Sequence, residues 1–199
     1  MIDFFTRGGP LMYPILLCSV VGWAIFMERI FVFIKIRRNL RPLQSAVMGL
    51  IQEKKAEEAV DLCIQKKSPL AKILLVVLKN RGSQRSYLKS LAEEVGEREA
   101  VALQRYLGLL GTIANITPLL GLLGTVLGMI KAFNVIATEG MGTPATLGGG
   151  ISEALITTAA GLTVAVPMIL LHRYLSSRSE RLVLELEEAT MQIVDLVEE

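Results

Sequence analysis

Three stretches of this chain carry almost no charge: residues 11–34, 106–130 and 154–171. As helices rising 1.5 Å per residue, each is long enough to cross a hydrocarbon core of about 30 Å. The second and third have no charged residue, and the first is interrupted only by the adjacent pair Glu28-Arg29 near its end. That pair is expected to reach the interface by snorkelling. The stretch between residues 131 and 153 contains Gly140, Gly142, Pro144 and Gly148-Gly149-Gly150, so a turn is expected near residue 141 or 142. The pattern predicts an all-α integral membrane protein with three spans, the second and third forming a hairpin.

Outside the spans the period stays helical. Ser68-Pro69 ahead of the apolar run 70–78 reads as a cap, a proline at the first helical position and an amphipathic helix that stops by Gly82. No breaker occurs between Ser86 and Pro118, which predicts one continuous rod from 86 to 130. Leu182, Leu186, Ala189, Ile193 and Leu196 continue the pattern after the third span, giving an extended C-terminal helix.

Composition agrees: 52% of the 199 residues are hydrophobic and the formal net charge is only +2. The distribution of charge says more than its sum. Lys35, Arg37, Arg38 and Arg41 follow the first span, and Arg173, Arg178 and Arg181 follow the third. The positive-inside rule puts both in the cytoplasm. The expected order is an external N-terminus 1–10, span 11–34, a cytoplasmic helical segment 35–105, span 106–130, an external turn 131–153, span 154–171 and a cytoplasmic helix 172–199. The first stretch is expected to be a retained span, because Asp3 accompanies Arg7 ahead of it and no small-residue cleavage site follows. Cys18 and Cys63 fall in different compartments of this topology, which makes them packing residues and not a disulfide.

The candidate chemistry lies in the hairpin. Thr125 and Thr158 are equally distant from the expected turn and so reach a similar depth, with Glu153 at the head of the third span. Polar groups are costly in lipid and generally mark a polar path, which makes Thr125, Thr158, Glu153 and Asn115 the candidate path residues. Glu153 and Lys131 can also be read as interfacial anchors that pair within a chain or between neighbours. Gly108, Gly111, Gly121, Gly124 and Gly128, with Pro118, line the second span, and Gly161 lies on the third. Such small residues permit close helix approach, and packing alone is sufficient to explain them. Three spans cannot enclose water, so a path requires several copies in a ring. His172, the one histidine, reads as an interfacial residue. No metal-ligand cluster, nucleophile–base set or phosphate loop is present, so neither an enzyme, a cofactor nor a nucleic-acid role is expected.

The runs TPLLGLLGTVLGMIKAF (117–133), GGGISEALITTAAGLTVAVP (148–167) and WAIFMERIFVF (23–33) resemble the MotA/TolQ/ExbB proton-channel family, nearest to its ExbB and TolQ branches. SPLAKIL (68–74) matches more loosely. The resemblance implies a pentameric ring in the bacterial inner membrane around a one-span partner, ExbD or TolR, which supplies the proton-carrying aspartate. Proton flow would drive an envelope-spanning transducer, TonB or TolA. By motif match, Thr125, Thr158 and Glu153 fall on the family's pore-lining positions. Three spans argue against the four-span flagellar stator MotA. A TolQ-like envelope-maintenance role and a non-conducting scaffold remain the alternatives.

Overall fold

A computed structural model describes residues 8–139 and 144–198. Six helices are found there, and no strand: α1 (Met12–Gln52), α2 (Ala56–Gln65), α3 (Pro69–Lys79), α4 (Arg85–Gln104), α5 (Leu107–Glu139) and α6 (Pro144–Glu198). Three stretches, within Met12–Gln52, Arg85–Thr138 and Gly148–Val197, are apolar and long enough to cross a membrane. The chain divides into two units, Met1–Met27 with Tyr106–Tyr174, and Glu28–Arg105 with Leu175–Glu199.

The first unit holds the apolar halves of α1, α5 and α6. Gly22 of α1 faces Met168 of α6, where a β-carbon would sit 2.5 Å from the sulfur. Met12, Ile15 and Ile25 are buried on the same side of α1, whereas Tyr13, Leu17, Val20 and Trp23 are exposed. In water that face would be a liability; in lipid it costs nothing, because acyl chains solvate it.

The second unit is amphipathic and has a conventional core. Ile73 and Val77 of α3, Leu88 and Ala92 of α4 and Val194 of α6 form one buried cluster. As predicted, Ser68 caps α3: its hydroxyl accepts from the Ala71 N–H at 3.2 Å and Pro69 takes the first turn. Arg85 grips Asp195 through two N–H groups at 2.9 and 2.6 Å, fixing the end of α6 to the start of α4. The Cys63 thiol is buried in this unit, and that burial pushes its pKa up to about 11.

One expectation fails here. The rod expected over 86–130 is broken at Arg105–Tyr106, where α4 ends and Tyr106 adopts φ +66 before α5 begins. No proline or glycine announces the break. Ending a helix strands its last carbonyls, and Arg29 supplies donors: its guanidinium points at the carbonyl oxygens of Ala102 (3.4 Å) and Leu103 (3.5 Å) while pairing with Glu28 at 2.7 Å. Arg29 is therefore buried against the end of α4, while its partner Glu28 is half-exposed.

Helix also runs further into the connection than its glycines suggest, through Glu139 and again from Pro144. The turn expected near residue 141 or 142 lies outside the described residues.

Candidate functional site

The site is built on the crossing of α5 and α6. Gly121 abuts Thr158, and a β-carbon on it would lie 3.1 Å from the Thr158 Cα and 3.3 Å from the Thr157 carbonyl oxygen. Gly161 returns the contact: a β-carbon on it would lie 2.9 Å from the Thr117 carbonyl oxygen and 3.0 Å from the Gly121 Cα. One turn outward, Gly124 receives the Thr157 side chain, and next Gly128 meets Ala154 and the carbonyl of Gly150. These glycines thus serve contact within one chain. At the other end of the crossing Gly111 makes room for the His172 imidazole, whose Nε2 would be 3.0 Å from a β-carbon there. Gly108 has open space beside it. Pro118 is half-buried inside α5 and cannot donate to the Ala114 carbonyl, leaving that oxygen outside the helical ladder.

The crossing places Thr125 within a turn of the level of Thr158, yet their hydroxyls do not bond to each other. Thr125 donates to the Leu122 carbonyl of its own helix at 2.6 Å. Thr158 donates across the crossing to the Gly121 carbonyl at 2.9 Å. Asn115 is exposed, as are Gly108 and Thr112. It lies ten residues from Thr125 along α5, about 15 Å, so the four polar candidates do not form one cluster within a chain.

Glu153 has the densest surroundings. Lys131 Nζ approaches its Oε1 at 2.6 Å, so the pair forms within the chain. With Lys131 half-exposed the pair contributes at most about 1 kcal/mol to stability, and its effect is to aim the carboxylate. From the N-terminal side, Gly9 packs directly on the carboxylate with φ +71, a conformation that favours glycine, and a β-carbon there would push the Glu153 carboxylate aside. The Thr157 hydroxyl lies 2.6 Å from the Gly8 carbonyl and 2.8 Å from that of Glu153, and its single proton serves both. A cavity of about 150 Å³ opens here, lined by Gly8, Leu11, Gly124, Lys131, Glu153 and Thr157, with room for several waters. Thr157 and the Gly8-Gly9 turn are site residues that the pattern along the chain did not reveal. The available signal was the i, i+4 spacing of Glu153 and Thr157, which puts both on one face.

Among the described residues no group of three His, Cys, Asp or Glu side chains could hold a metal ion. The arrangement suits water and proton exchange at a carboxylate beside a tightly packed helix crossing.

The model of the MotA/TolQ/ExbB proton channel family matches residues 65–188, more than half of the sequence and all of the α5–α6 crossing. The chain belongs to the MotA/TolQ/ExbB proton channel family. It is 36% identical over 186 residues to the putative biopolymer transport protein ExbB-like 1 of Synechocystis sp., covering 89% of this chain and 71% of that one. Biopolymer transport protein exbB1 of Vibrio cholerae is 31% identical over 195 residues, covering 94% of this chain and 84% of its own. The Tol-Pal system protein TolQ of Pseudomonas aeruginosa is 42% identical over 86 residues, 43% of this chain and 37% of its own. The chain is a membrane protein of a proton-channel family, which is not an enzyme family, and among the described residues three helices are long and apolar enough to cross a membrane.

Proposed function

We propose that the chain is the ExbB-like subunit of an inner-membrane motor that conducts protons and energises TonB-dependent transport. The single observation that carries this reading is Glu153, held by Lys131 and packed on by Gly9, beside a cavity of about 150 Å³ at one end of the crossing. A carboxylate at the mouth of a span concentrates cations there. Thr125 and Thr158 keep oxygen lone pairs free after donating to carbonyls, so both can accept from water or from a partner's carboxyl group. The partner is an ExbD-like one-span protein carrying the aspartate that takes up and releases the proton, because no carboxylate of this chain lies mid-span in α5 or α6. A ring of copies, a pentamer, supplies the enclosure that three spans cannot, and a TonB-like protein receives the motion. The N-terminus and hairpin turn are periplasmic and the basic ends cytoplasmic, from the charge asymmetry.

A TolQ-like role with TolR and TolA is the second reading, favoured by the higher identity to TolQ over a shorter span.

The test is proton flux into liposomes holding this chain with the one-span partner encoded beside it. Glu153→Gln is expected to reduce flux in part, since the amide still bonds Lys131 only weakly, and Glu153→Ala to abolish it nearly completely. Undiminished flux in both, with assembly intact, overturns the channel role and leaves a scaffold. Rescue of a TonB-system deletion separates the first reading from the second.

A further inference from the structure

Two large open grooves mark the second unit, and their charges are opposite. One, of about 620 Å³, runs between α4 and α6 and presents Glu93, Glu97, Glu187 and Glu188 against a single Lys89. The other, of about 530 Å³, is enclosed by α1, the end of α2 and the start of α3. Its floor is apolar, from Pro42, Leu43 and Leu62, and its rim carries Lys35, Lys66 and Lys67 without any acidic side chain.

Three observations bear on what fills the second groove. Lys35 is the residue immediately after the uncharged end of the first span, on the same unbroken helix, so the groove begins at the membrane interface. Pro42 and Ala46 lie about 10 and 16 Å further along that helix, so the groove reaches inward by little more than a lipid headgroup and glycerol. Among the described residues, none of the three lysines has an ion-pair partner, whereas Lys55, Lys72 and Lys89 of the same unit do. Unneutralised cations sharing a groove with apolar side chains next to an interface are complementary to an anion attached to hydrocarbon.

We infer that the groove of Lys35, Lys66 and Lys67 binds an anionic phospholipid, its phosphate held by the lysines and its glycerol resting on Pro42, Leu43 and Leu62, with the acyl chains running back past Lys35 into the bilayer. Basic residues at the surface each strengthen binding to an anionic headgroup by roughly fivefold, screened by salt. The N-terminus of α3, at the Ser68 end of the groove, adds a positive dipole to the same side. Lys66 and Lys67 also sit at the C-terminus of α2, where a purely structural role would have them complement that helix's negative end. The two roles separate by experiment, since lipid selectivity reads only the first.

The full chain, purified in a neutral detergent, is titrated with dioleoylphosphatidylglycerol or dioleoylphosphatidylcholine, and lipid adducts are counted by native mass spectrometry. The wild type is expected to prefer the glycerol lipid at least tenfold at low salt, and to lose most of that preference in half-molar salt. That salt response needs no variant and so cannot be masked by misfolding. Lys35→Gln with Lys66→Gln and Lys67→Gln should bring the preference down to near one. Lys54→Gln with Lys79→Gln and Lys89→Gln removes the same charge elsewhere and should leave it intact. Equal binding of the two lipids, or equal loss in both triple variants, overturns the site. Displacement of the glycerol lipid by millimolar inorganic phosphate also overturns it, in favour of a site for a free phosphate.

Discussion

Replacing Gly121 by alanine tests the crossing on which the whole site rests. The added methyl group would lie 3.1 Å from the Thr158 Cα and 3.3 Å from two carbonyl oxygens, all backbone atoms of α6 that no rotamer change can move. The helices must part by a few tenths of an ångström. That loosens the reciprocal contact at Gly161 and stretches the 2.9 Å bond from Thr158 to the Gly121 carbonyl. Overpacking costs about 1–3 kcal/mol, and an interhelical bond in lipid is worth roughly 0.6–1.7 kcal/mol, only part of which is lost. Against this stands the gain of about 0.5–1 kcal/mol from removing a glycine from a helix interior. The net expectation is a destabilisation of about 1–3 kcal/mol. Gly108→Ala supplies the control on the same helix: its β-carbon meets nothing within 4 Å, so only the favourable propensity remains. Unfolding by dodecyl sulfate titration in mixed micelles reads both, and the two variants should fall on opposite sides of the wild type. If Gly121→Ala is as harmless as Gly108→Ala, α5 and α6 do not cross at this point and the placement of Thr157 and Glu153 fails with it.

Three further outcomes follow from particular contacts. Thr158→Val should lose about 1 kcal/mol of stability along with flux, because it removes the bond across the crossing, whereas Thr125→Val removes only a bond within its own helix and should lose flux alone; equal stability loss in the same titration would contradict the donor assignments. Gly9→Ala forces an L side chain into φ +71 against the Glu153 carboxylate, at about 1–2 kcal/mol for the conformation alone, and should lower proton flux without reducing the amount of protein in the membrane; wild-type flux would mean that the N-terminal turn does not hold Glu153. Burial raises the Cys63 thiol to about 11, so only about one thiol in ten thousand is ionised at pH 7 and alkylation should be correspondingly slow. The rate should climb about tenfold per pH unit as the pH rises towards 11, and rapid modification at neutral pH in the native protein would show that the second unit opens.

The absence of charge over long stretches was enough to reveal the three long apolar helices. A lipid-crossing segment must satisfy its backbone internally and be apolar along its whole length, and both requirements are written locally, as in residues 106–130 and 154–171. The cap at Ser68-Pro69 is equally local, since the hydroxyl and the amide it accepts from are three residues apart. The pairing of Lys131 with Glu153 was one of two readings open to the sequence, because a hairpin brings residues equidistant from its turn together.

What tertiary structure decided is which partner each polar group takes. Thr125 and Thr158 look equivalent along the chain, yet one bonds its own helix and the other its neighbour, because the side of a helix that meets another depends on a crossing set by Gly121 and Gly161 together. The break at Tyr106 carries no local signal; it persists because Arg29, more than seventy residues earlier, donates to the carbonyls that the break exposes. Gly8-Gly9 and Thr157 are likewise ordinary in isolation and meet only when the N-terminal turn reaches the head of α6. Local chemistry determines what a segment can be in lipid, and the long-range contacts between segments determine where its few polar atoms point.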